Sequence, residues 1–157
     1  MRAPGWNALT PELTATLLGG LIAGAIDIGA AALINGVSAF RILHFVAGGL
    51  LGKAALEGGT AIEVLGLALQ WAMSLLIAAF YVGACRWQPL LSRRWIVGGV
   101  AYGVVIFVAM NYAVVPASAW ARWPHFSAER FAENLGAMLL FGLIVAFFAQ
   151  RFQPDAE

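Results

Sequence analysis

Between Thr16 and Asn35 the chain carries one charged residue, Asp27, in a run of otherwise small and aliphatic side chains. A segment of about 20 apolar residues has the length of a helix that crosses a bilayer. At mid-depth against lipid a carboxylate costs on the order of 2.5–3.5 kcal/mol, so Asp27 must turn inward and either take a partner or stay protonated. At roughly 100° per residue, Thr16, Gly20, Gly24, Asp27, Ala31 and Asn35 fall on one narrow stripe. The carboxylate thus belongs to a seam of small and polar residues on one helix face.

Three more runs have the same character, and composition agrees: 62% of residues are hydrophobic and 11% charged, where soluble domains average about 25% charged. We expect an all-α polytopic membrane protein, a four-transmembrane-helix bundle with spans at about 13–34, 61–84, 95–115 and 130–150. These spans and their short connections fill residues 1–157 as one domain. The net charge of +1 gives no reason to propose nucleic acid as a partner. Cys85 is the only cysteine, which excludes an intramolecular disulfide and reads as a buried or interfacial thiol. The run after Arg2 is too long for a cleaved signal peptide, so a retained first span is expected, with Trp6 as an interfacial anchor.

Element boundaries follow from local chemistry. Thr10 can cap the first helix, Pro11 suits its first turn and Glu12 favours its positive end, while Asn35-Gly36 tolerates the left-handed conformation that ends a helix. Residues 38–57, SAFRILHFVAGGLLGKAALE, are different: the stretch from Ile42 to Gly52, interrupted by His44, is too short to cross. A short re-entrant or interfacial helix is expected there, with Gly48 and Gly52 forming a GxxxG edge. Gly58-Gly59-Thr60 closes this segment and can cap the next helix. Pro116 deprives the carbonyl of Tyr112 of its donor, which predicts local irregularity around Met110–Tyr112.

Polar residues on the other spans align with Asp27. The second carries Glu63, Gly66, Gln70, Ser74 and Tyr81 along one face; the third carries Gly99, Gly103 and Asn111; the fourth carries Asn134. At about 1.5 Å per residue, Asp27 and Gln70 lie roughly 10–12 Å from the outer helix ends, and Asn111 and Asn134 roughly 6–8 Å. This arrangement predicts a polar pocket walled by Asp27, Gln70, Asn111 and Asn134, with Glu63, His44 and Arg41 above it. Gly20, Gly24, Gly48, Gly52, Gly66, Gly99 and Gly103 are the expected helix-packing positions. His44 and His125 are isolated, so neither a metal site nor a haem is implied. Phosphate loops, nucleophile elbows and paired carboxylates near a histidine are missing, and no catalytic residue or cofactor is assigned.

The run RILHFVAGGLLGKAALEGGTA, followed by LGLALQW, an arginine pair, AYG and MNYAVVP, resembles a family of small four-helix bacterial inner-membrane proteins without an established function. The resemblance covers residues from about 20 to 118. It implies location and topology, and it implies a histidine where this chain has Gln70, a departure that weakens any proton-relay reading. Independently, Arg86, Arg93 and Arg94 make the 85–94 loop the densest basic loop, which by the positive-inside rule puts it and both termini in the cytoplasm.

Three functions compete on these residues. The expected one is a non-enzymatic interaction or assembly subunit that docks a second copy or a larger membrane complex through its glycine edges and tryptophan loop. The alternative is a module that binds or transports a small molecule, lipid or ion through the pocket at Asp27, with membrane lipids as partners. An enzyme acting on a lipid would have to draw on Arg41, His44, Glu57 and Glu63, and stands last.

Overall fold

The computed structural model describes residues 10–152; Arg2 and Trp6 lie outside them. The described residues are mostly helical, with no strand among them. Helix α1 spans Pro11–Asn35, α2 Ala39–Leu51, α3 Thr60–Trp87, α4 Leu90–Arg93, α5 Trp95–Ala109, α6 Val115–Ala117 and α7 Ala128–Phe152. A 3₁₀ segment, Gly52–Glu57, follows α2, and a π-helical segment, Met110–Val114, joins α5 to α6.

The caps explain several boundaries. Thr10 Oγ1 accepts from the Leu13 amide at 3.2 Å, and Gly36 ends α1 in the left-handed region at φ 62°. Ser38 and Ser127 hydroxyls accept from the amides of Arg41 and Arg130. Within the Gly58-Gly59-Thr60 run, Gly59 takes the cap position of α3. The irregularity foreseen upstream of Pro116 takes the form of the π segment, as expected where a proline removes a helical donor.

Among the described residues, five helical stretches are long and apolar enough to cross a membrane, one more than the four-helix expectation; the additional one is Ala39–Glu57. That stretch is not a single rod. Arg41 Nη1 donates to Leu56 O at 3.2 Å, and His44 Nε2 lies 2.9 Å from Gly58 O. In a continuous helix residues 44 and 58 would stand about 21 Å apart. The chain turns back at Gly52, whose φ of 71° and ψ of −155° is a conformation essentially reserved for glycine, and the 3₁₀ segment packs along α2. Hydropathy counts residues and cannot see this reversal.

The long helices form a row: α5 packs on α7, α7 on α1, α1 on α3, and α3 on α2. Glycines set these approaches. A Cβ on Gly103 would meet Met138 O at 2.6 Å, and one on Gly99 would meet Gly142 O at 3.0 Å, so α5 and α7 touch backbone to backbone. Gly20 lies against Leu75 and Gly24 against Ser74 where α1 meets α3. Any side chain on Gly66 would collide with the carbonyl of Leu43, the point where α2 crosses α3. Gly48 abuts the Trp120 ring instead of a helix, and Gly52 serves the turn, its nearest neighbour being Ala119 at 4.0 Å.

The row closes at one end. Tyr102 on α5 donates to Ile77 O on α3 at 2.7 Å, and its ring lies 4.9 Å from that of Tyr81, which donates in turn to Leu91 O. Cys85 is buried one turn beyond Tyr81. The main core gathers here, around Ala15, Ala23, Tyr81, Phe141 and Val145.

Candidate ligand-binding cavity

Away from the tyrosine pair, a half-open cavity of about 670 Å³ lies between α2, α3 and the π segment. Helix α2 supplies one wall with Ile42, Phe45, Val46, Gly49 and Leu50, residues that recur at the spacing of one helical face. Leu69, Ala72, Met73 and Leu76 of α3 face them, and Met110, Val114 and Val115 come from the π segment and α6. The polar groups are few: Asn35, Gln70, Ser118 and the indole of Trp120.

The 118–120 turn ties this end together. The amide of Ala119 donates to Gly49 O at 2.8 Å, filling a carbonyl that the end of α2 leaves without a helical donor. Trp120 Nε1 donates to Phe45 O at 2.9 Å, and the two rings are 5.9 Å apart. Because α2 also crosses α3 at Gly66, it acts as a lintel from α3 to the end of α5, above the cavity. Ala121 pays for the turn with a left-handed φ of 47°, which costs a non-glycine residue roughly 1–2 kcal/mol.

Behind Gln70 lies a second, small void of about 30 Å³ bounded by Asp27, Met73, Ser74, Ile106, Met138 and Phe141 among others. Gln70 Nε2 donates to Asp27 Oδ2 at 2.9 Å and lies 3.5 Å from Gly24 O. Gln70 thus lines both spaces and separates the carboxylate from the larger one. An interhelical bond of this kind contributes about 0.6–2 kcal/mol.

The other polar residues singled out in the sequence go elsewhere. Asn111 Nδ2 donates to Phe107 O and Asn134 Nδ2 to Arg130 O, each one turn back on its own helix. His44 is held between Phe40 O at 2.8 Å and Gly58 O. Arg41 bonds Leu56 O and lies over the Phe45 ring at 5.7 Å. Glu63, in the first turn of α3, acts on His44 only through space. Of the predicted layer, only Asp27 and Gln70 are joined. No group of three or more His, Cys, Asp or Glu suited to a metal ion occurs among the described residues.

Sequence reasoning missed Phe45, Met73, Met110 and Trp120 as parts of one site. The apolar face of α2 was available as periodicity, whereas nothing in the sequence indicated that α3 and the π segment stand apart. The fold and site together define an all-helical, strongly apolar protein with a lateral cavity beneath a short tethered helix. No family model, curated protein or solved structure matches the chain.

Proposed function

We propose that the protein is a non-enzymatic membrane module that holds the apolar part of a small molecule between α2, α3 and the π segment. The observation that carries this reading is the cavity itself. Its volume of about 670 Å³ falls within the 300–1,000 Å³ of ligand pockets, and its lining, mostly apolar with a few polar groups, is of the usual kind. The pocket reading of the sequence centred on Asp27; the proposed pocket is instead the cavity that Gln70 lines, with Asp27 accepting from the Gln70 amide behind it. The assembly reading relied on glycine edges, and those at Gly20, Gly24, Gly66, Gly99 and Gly103 are occupied by other helices of the same chain.

The proposed topology has four crossing helices in the bacterial inner membrane, with the basic 85–94 loop and both termini in the cytoplasm. Ala39–Glu57 enters and leaves on the outer side. This is supported by its reversal at Gly52 and by the length of α2, 13 residues or about 20 Å, against a hydrocarbon core of about 30 Å.

The test is native mass spectrometry of the full chain released from mild detergent, compared with Ala72→Trp, which places an indole in the cavity. Wild-type protein should retain a small-molecule adduct that Ala72→Trp loses while keeping its helicity. Equal adducts on both proteins, or none on the wild type after reconstitution into lipid, would remove the cavity from the function.

A further inference from the structure

The rings at the lintel carry charge. Arg41 lies 5.7 Å from the centroid of Phe45, and Arg122 lies 5.6 Å from that of Trp120. Phe45 and Trp120 face each other at 5.9 Å and both line the cavity. The order is therefore guanidinium, ring, ring, guanidinium, along the edge of an apolar space. Arg41 and Arg122 are both exposed, and neither enters an ion pair with a described residue. Each keeps donors free in the planar fork that matches the oxygens of a phosphate.

From this juxtaposition we infer that the occupant of the cavity is a phospholipid with a net anionic headgroup, its acyl chain between α2, α3 and the π segment and its headgroup drawn to the rim by the charges of Arg41 and Arg122. The inference rests on the cavity reading above and adds the chemistry of the ligand. An inorganic anion would satisfy the arginines but leave the apolar walls unfilled. A neutral lipid would fill the walls and leave two cations unpaired, and a zwitterionic headgroup would bring its own cation towards them. The turn that presents these groups carries Ala121 in its left-handed conformation between Trp120, whose Nε1 donates to Phe45 O, and Arg122, which lies over the same indole.

The experiment reconstitutes the full chain into nanodiscs of phosphatidylglycerol and phosphatidylcholine with identical acyl chains, then reads the lipids retained after transfer to detergent by native mass spectrometry. Wild-type protein should retain the anionic lipid with a preference of about tenfold or more, the size of one charge-assisted hydrogen bond. Arg41→Gln with Arg122→Gln should retain lipid without that preference, and Arg41→Lys with Arg122→Lys should keep part of it. Retention of both lipids in proportion to their supply by the wild type would overturn the anionic assignment and leave the cavity reading standing. Retention of neither would overturn both. Displacement of the lipid by millimolar inorganic phosphate would overturn the lipid as the occupant. The headgroup comparison uses unaltered protein, so it holds even where a variant fails to fold.

Discussion

Asp27 and Gln70 form the most informative pair in the chain, because each is explained by the other. The carboxylate needs a donor in an apolar surround and Gln70 provides one at 2.9 Å. We therefore expect Gln70→Leu to cost about 1–3 kcal/mol, the penalty of leaving a buried acceptor unmet. The double variant Asp27→Leu with Gln70→Leu should recover most of that loss, since both polar partners are then gone. Thermal unfolding in one detergent measures all three proteins, and a Gln70→Leu single variant as stable as wild type would refute the account. The stripe through Gly20, Gly24 and Asp27 was legible from spacing alone, and it does face α3. The direction of Asn111 and Asn134 was not. A short amide on a helix can reach the carbonyl one turn back, and that local bond competes with any partner across the bundle.

At the scale of the element, the segment from Ala39 to Glu57 shows what hydropathy can and cannot deliver. The shortness of its apolar part was visible, as was the difficulty of burying Arg41 and His44. The reversal was not, because it depends on the conformation of one glycine. Gly52→Ala should cost about 1–3 kcal/mol, since ψ of −155° at φ 71° is a region that a Cβ strongly disfavours. The loss would be read as a lowered unfolding temperature in detergent, with Gly49→Ala as control. Gly49 has ordinary backbone angles and only a 3.9 Å neighbour at its Cβ position, so it should change little. The two ring nitrogens of His44 both face carbonyl oxygens, and only the doubly protonated ring can donate to both at once. The π segment is the other element with a readable cause, Pro116, and its residues became a wall of the cavity.

For the molecule as a whole, the sequence disclosed the helices and hid the space between them. Each span follows from its own composition, whereas the gap between α3 and the π segment depends on how α7 packs between α5 and α1, which no single segment encodes. The proposed topology makes a direct prediction. In a background with Cys85 replaced by serine, cysteines placed at Gly36 and at Gly59, both exposed, should react with a membrane-impermeant maleimide from the same side. Labelling from opposite sides would make Ala39–Glu57 a fifth crossing.

The tie between Trp120 and Phe45 joins residues 75 positions apart, and this separation orders events during synthesis. Helix α2 can settle on α3 as soon as Gly66 has passed the ribosome, but the opposite wall and the indole that pins the lintel emerge only after α5. Under the proposed membrane insertion, the future cavity is in that interval an open groove facing the bilayer. The proposed lipid could then enter while the chain is still being made, and would be a component of assembly rather than a late arrival.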